Sequence, residues 1–210
     1  MRDAIIGLTM DRSGSMYTMW DEAVGGFNGF VKDQAKEEGN AWLILTYFDN
    51  NINEKYYAWN VRDIPELSQT DAEIHPGGTT ALYDATMQSI ARTENWLSEN
   101  AWFDGEVVQV IITDGIENAS ETRGETLKAK ISEKEFEGWN FIYLAANVDT
   151  KKTAQNLGIG YDKTVTYDSK SVGVAYAATS GAVSNLRSAA TKKNEPLISD
   201  DQRDVRNSNT

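Results

Sequence analysis

Three features of the sequence predict an α/β fold with a doubly wound, mostly parallel central sheet, helices on both faces and one antiparallel edge strand. Strand-length apolar runs alternate with segments of helical length, which implies a mostly parallel sheet covered on both faces. Two runs, Ala41 to Phe48 and Val107 to Ile112, are nearly continuously apolar, as expected of strands buried on both sides. After the first of them, Asp49-Asn50-Asn51 reads as a turn into Ile52 to Trp59, whose less regular alternation suits an edge strand paired antiparallel with its predecessor.

Each element has its own justification. Ala4-Ile5-Ile6-Gly7-Leu8 is the first strand, and Thr9 to Met16 is the turn that leads into a helix. From Trp20 to Glu38 the residues Trp20, Ala23, Val24, Phe27, Phe30 and Val31 recur at helical spacing. Gly25, Gly26 and Gly29 interrupt that helix at about 1 kcal/mol each relative to alanine, which predicts close packing on the sheet near Asp11. Met10, Met16 and Met19 are expected to fill gaps around the helix, and Gly39-Asn40 ends it.

The stretch from Asn60 to His75 has turn chemistry, with one helical turn expected around Pro65. Pro76-Gly77-Gly78-Thr79-Thr80 then opens a helix from about Ala81 to Asn100. Glu106 to Thr113 is the strongest buried-strand signal and ends in Asp114-Gly115. A charged helix over about Glu121 to Glu137, a strand Trp139 to Ala145, a short helix around Thr153 to Leu157, a strand Thr164 to Tyr167 and a helix Ser171 to Ala190 complete the alternation. The reading is one domain over residues 1–191 and a polar arm over 192–210 that becomes ordered only when something binds it.

Composition narrows the function. With 20 Lys and Arg against 32 Asp and Glu, the formal charge of -12 opposes nucleic acid and anionic membranes as partners. The chain has no cysteine and a single histidine, His75, so disulfides and zinc sites of the usual kind are not expected. No apolar run approaches the roughly 20 residues that span a bilayer, and Ala4 to Met10 is too short for a signal peptide. A cytoplasmic or virus-encoded protein without membrane insertion is the expectation; the oligomeric state is left open.

The chemistry concentrates in three stretches. Asp11-Arg12-Ser13-Gly14-Ser15 sets a carboxylate and two hydroxyls at alternate positions after the first strand, Thr80 follows a glycine pair, and Asp114 ends the central strand. In a parallel sheet, ligands bind at the carboxyl ends of strands, so these oxygens are expected to converge there. An oxygen-only set suits a hard cation: Mg²⁺ first, with Mn²⁺ or Ca²⁺ as alternatives. Taken singly, each stretch also reads as a helix cap or a turn.

Together, Asp11-Arg12-Ser13-Gly14-Ser15, Gly78-Thr79-Thr80-Ala81-Leu82-Tyr83-Asp84-Ala85 and Thr113-Asp114-Gly115 resemble, in order, the metal-ion-dependent adhesion site of von Willebrand factor type A domains. The resemblance covers roughly Ala4 to Tyr167. It implies a Rossmann-like fold in which Ser13, Ser15 and Thr80 offer hydroxyls to a metal, Asp11 and Asp114 act directly or through water, and a partner's Asp or Glu completes the coordination. Thr80 is preferred over Thr79 because it directly precedes the segment matching Ala81 to Ala85.

The resemblance therefore implies a non-enzymatic, cation-dependent protein-binding module of the adhesion type. The alternative is a structural or assembly subunit, for example of a virion, that uses the same fold as a scaffold. A metal-dependent hydrolase is disfavoured because no nucleophile or general base can be named. Asp49 to Asn53 begins like a calcium loop, but Glu54 stands where glycine is required, and a turn is preferred. Gly158-Ile159-Gly160 lacks the third glycine of a dinucleotide loop, with Lys163 in its place. His75 reads as a surface residue near the site, and Trp20 and Trp102 as candidates to border a partner surface.

Overall fold

A computed structural model of the chain describes residues 1–146, 150–188 and 196–206. In chain order the strands are β1 (Ala4–Asp11), β2 (Ala41–Phe48), β3 (Ile52–Asn60), β4 (Glu106–Thr113), β5 (Asn140–Ala146) and β6 (Thr164–Tyr167). The helices are α1 (Trp20–Lys36), α2 (Leu82–Glu99), α3 (Gly124–Phe136), α4 (Thr150–Asn156) and α5 (Val172–Arg187). The strands form one sheet in the order β3-β2-β1-β4-β5-β6. Every named pair is parallel except β2 with β3, so the expected doubly wound sheet with one antiparallel edge strand is the one observed.

Strand periodicity explains how one sheet holds two cores. Successive side chains point to opposite faces. Ile6, Leu8 and Met10 of β1 join Val108, Val110 and Ile112 of β4 in the core under α1 and α5. Ile111, Phe141, Tyr143 and Ala145 point the other way, against Leu82 and Ala85 of α2 and Leu127 and Ile131 of α3. The chain winds from β1 out to β3 and then returns to β4 on the other side of β1. That reversal leaves a crevice at the carboxyl ends of β1 and β4, where Asp11 and Asp114 stand.

Local details depart from the sequence reading for physical reasons. A Cβ at Gly26 would stand 2.4 Å from the ring of Tyr176, whereas Gly25 and Gly29 have no such neighbour within 4 Å. The close approach of α1 is thus to α5 and not to the sheet. The helical turn expected around Pro65 forms earlier, at Val61–Asp63, because the residue before proline is held extended and Ile64 has ψ 119°. Helix α3 begins at Gly124, since the N–H groups of Glu121 and Thr122 donate to the Asp84 carboxylate. The three methionines pack in the core as expected, but Trp20 joins them at 4% exposure and borders no outer surface. Trp102 is 62% exposed, between α2 and β4 at the opposite end of the sheet from Asp11.

Part of the segment read as a polar arm docks on the fold. The N–H of Thr166 donates to the Arg203 carbonyl at 2.7 Å, and that of Val205 to the Thr166 carbonyl at 2.9 Å, so the outer edge of β6 is covered. Ile198 and Val205 supply the apolar contact and are buried. Only polar residues stand between Ile198 and Val205, too sparse a pattern to set a helical or strand period, so their burial had no signature in the sequence. Residues 189–195 and 207–210 of the predicted helix end and arm lie outside the described residues. Among the described residues no helix is long and apolar enough to cross a membrane.

Candidate metal centre

Asp11 closes β1 with its side chain fully buried. One carboxylate oxygen, Oδ1, accepts the N–H of Ser13 at 2.7 Å, and Oδ2 accepts the hydroxyl of Thr113 at 2.6 Å. Burial pushes this carboxyl up to about 6; the bonds from Thr113 and Ser13 oppose the shift, and the nearby charge of Asp114 adds to it. Arg12, next in sequence, does not neutralise Asp11. Its guanidinium pairs with Asp49 at 3.0 Å, donates to the Glu73 carbonyl at 2.7 Å and lies 5.1 Å from the centre of the Tyr47 ring.

From Ser13 the oxygens continue outward. Ser13 Oγ is 3.1 Å from Ser15 Oγ, and Ser15 Oγ donates to Asp114 Oδ1 at 2.7 Å. Asp114 is half-buried, which raises its carboxyl above the usual range, while the Ser15 hydroxyl pulls it down. Thr80 is buried beside them. A Cβ at Gly115 would stand 3.1 Å from Thr80 Oγ1 and 3.5 Å from Ser15 Oγ, so glycine leaves open the space those hydroxyls face. Thr79 is exposed, and of the two threonines Thr80 is the one against the oxygen set.

Backbone contacts hold the three loops together. The N–H of Gly14 donates to the Gly78 carbonyl at 3.2 Å, and that of Gly77 to the Arg12 carbonyl at 2.8 Å. Gly78 has φ +71°, and a Cβ there would stand 2.2 Å from Asn50 Oδ1, so both conformation and space demand glycine. All five residues named from the sequence, Asp11, Ser13, Ser15, Thr80 and Asp114, are therefore brought to one point. His75 is exposed at the margin, its ring 6.0 Å from that of Tyr17, and belongs to no part of the oxygen set.

The donor set fits a hard divalent cation. It combines three neutral hydroxyls with two carboxylates that burial makes reluctant to ionise and that among the described residues have no ion-pair partner. Among the described residues no cluster of three or more His, Cys, Asp or Glu side chains is found, and this set too joins only two carboxylates to its hydroxyls. Asp49 to Asn51 forms a turn into β3, with Asp49 Oδ1 accepting the Asn51 N–H at 2.5 Å, and Gly158 with φ +83° follows α4.

The sequence reading missed the residues that surround this set. Thr113 orients Asp11. Glu117, Asn118 and Ser120, from the loop after Asp114, contact the start of α2, and Asp84 contacts that loop in return. One signal was present: the helix after Thr80 opens on Ala81-Leu82, and neither residue has a side chain that can cap it.

No protein-family model and no curated protein sequence matches the chain. Solved structures match it in fold. The vWF domain of the type V pili tip protein Mfa5 from Porphyromonas gingivalis has a TM-score of 0.62 at 8% identity, with 92% of this chain and 99% of that chain covered. Proximal thread matrix protein 1 from the mussel byssus has a TM-score of 0.57 at 16% identity over 85% of this chain. The match spans 45% of the mussel protein's chain, and another structure of that protein has a zinc-occupied MIDAS motif. The manganese-loaded TRAP protein of Plasmodium vivax has a TM-score of 0.53 at 13% identity, over 80% of this chain and 68% of that chain.

Proposed function

We propose, from the premise that the chain adopts the von Willebrand factor type A fold, that it is a non-enzymatic protein-binding module whose contact depends on a divalent cation. The observation that carries this reading is the hydrogen-bonded chain from the Thr113 hydroxyl through the Asp11 carboxylate and the Ser13 N–H to the hydroxyls of Ser13 and Ser15, and on to Asp114, with Thr80 against it. Asp11, Ser13, Ser15, Thr80 and Asp114 would hold the cation. Mg²⁺ is the expected ion, and Mn²⁺ or Ca²⁺ meets the same oxygen preference.

When bound, the cation supplies positive charge that a partner's Asp or Glu can neutralise. The chain's own residues set the terms of that contact. Hydroxyls leave more of the cation's charge unspent than carboxylates would, and burial of Asp11 and Thr80 keeps the inner side of the site from competing water. Tyr17, two residues after Ser15, is 67% exposed, and Ile116, two after Asp114, is 75% exposed. Two large exposed side chains thus stand within two residues of the oxygen-bearing positions and suit a protein surface as partner. Support from outside the chain comes from the fold matches with a zinc-occupied MIDAS motif and a manganese-loaded protein.

The test is calorimetric titration of Mg²⁺ and Mn²⁺ into the native chain, Asp11→Ala and Asp114→Ala, with capture of partners in the presence and absence of EDTA. Binding that is lost in both variants, together with EDTA-sensitive capture, is the expected result. Equal metal affinity in all three proteins would sink the assignment.

A further inference from the structure

Asn118 engages both backbone polar groups of Thr80. The N–H of Thr80 donates to Asn118 Oδ1 at 2.9 Å, and the N–H of Asn118 donates to the Thr80 carbonyl at 3.1 Å. Only the hydroxyl of Thr80 is left to face Ser15 and Gly115. We propose that Asn118 is a positioning residue of the metal centre, setting the place of Thr80 Oγ1 relative to Ser15 and Asp114. This inference rests on the metal-binding reading above.

The surrounding contacts show why one residue can have this effect. Helix α2 starts without a cap of its own, and the loop after Asp114 supplies one. Glu117 Oε2 accepts the Tyr83 N–H at 3.0 Å, and Ser120 Oγ accepts the N–H groups of Tyr83 and Asp84 at 3.0 and 3.1 Å. The clasp is reciprocal, because the Asp84 carboxylate accepts the N–H groups of Glu121 and Thr122. Asp114 opens the same loop, so the clasp ties the Thr80 strap to the Asp114 strap. Within it, Asn118 is the member that holds Thr80 itself. Its side-chain oxygen is occupied by the Thr80 N–H, and the residue is exposed, so substitution removes a constraint without opening the core.

The test is Mn²⁺ titration of the full chain, by calorimetry and by loss of the free-ion paramagnetic resonance signal. Asn118→Ala is expected to weaken Mn²⁺ binding about tenfold, the usual scale for residues that orient metal ligands. Asn118→Asp, which keeps an oxygen for the Thr80 N–H, is expected to bind at least as well as wild type. In a Thr80→Ala background, Asn118→Ala is expected to add no further loss, because its effect passes through Thr80. A purely structural role would lower the melting temperature in EDTA and leave the affinity of the folded protein alone.

Unchanged affinity in Asn118→Ala, or an equal further loss in the Thr80→Ala background, overturns the positioning role and leaves the metal reading intact. Absence of Mn²⁺ binding by wild type overturns both. Should Asn118→Ala fail to fold, Asn118→Leu, which keeps the size of the side chain and withdraws the acceptor from the Thr80 N–H, takes its place with the same expectations.

Discussion

Gln109 folds its side-chain amide across Gly7, its register partner on the neighbouring strand; a Cβ at Gly7 would stand 2.4 Å from both the amide nitrogen and the amide oxygen. The same amide accepts the Ser89 hydroxyl at 2.9 Å and donates to Thr93 Oγ1 at 2.8 Å, so a polar clamp fixes α2 on the sheet. Gly7→Ala is expected to destabilise the fold by about 1–3 kcal/mol, as overpacking does. Urea unfolding is expected to show a smaller penalty for Gly7→Ala in a Gln109→Ala background, because the clashing atoms are gone.

Metal affinity is expected to separate the two adjacent threonines. Thr80→Ala removes a buried hydroxyl from the oxygen set and is expected to lower Mg²⁺ affinity by roughly tenfold, equivalent to about 1.4 kcal/mol. Thr79→Ala alters an exposed side chain and is expected to change nothing. Calorimetric titration of the two variants side by side checks the pair.

Stability without metal is expected to fall as pH rises from about 4 to about 6. Asp11 has an ordinary carboxyl value of 3.8 in the unfolded chain and about 6 when buried in the fold. The folded state therefore holds this proton more tightly, and the stabilisation it gives is full below the unfolded value and lost as pH passes the folded one. At about 1.4 kcal/mol per pH unit, the loss is on the order of 3 kcal/mol. Urea unfolding in EDTA across that range, with Asp11→Asn as the reference, is expected to show wild type losing stability relative to the variant. Saturating Mn²⁺ is expected to flatten the slope.

Ile198 tests whether the docked part of the arm belongs to the fold. It is fully buried, and its N–H donates to the Asp162 carbonyl at 2.9 Å. Ile198→Ala is expected to cost about 2–5 kcal/mol, the range for deleting a core aliphatic side chain. Phe136→Ala, at a residue 95% exposed, is expected to cost within about 0.5 kcal/mol and serves as the contrast. Thermal unfolding of the two variants gives the comparison.

The alternation of apolar runs and the oxygen-bearing stretches at Asp11, Thr80 and Asp114 were legible in the sequence because both are local patterns. A buried strand declares itself in consecutive residues, and a turn carrying Asp, Ser and Gly does so within five. From these the sheet and its antiparallel edge followed, and the resemblance that the three stretches carry singled out the five oxygen-bearing residues proposed to hold a cation. Tertiary structure alone decided what depends on atoms brought together from distant segments. Gly26 could not announce that it makes room for Tyr176, nor Ile198 and Val205 that they would cover β6. Thr113 could not be known to donate to Asp11, nor Asn118 to hold Thr80. The sequence names the oxygen-bearing residues that share one edge of the sheet; only the packed chain, through bonds between residues dozens of positions apart, determines how near they stand to one another.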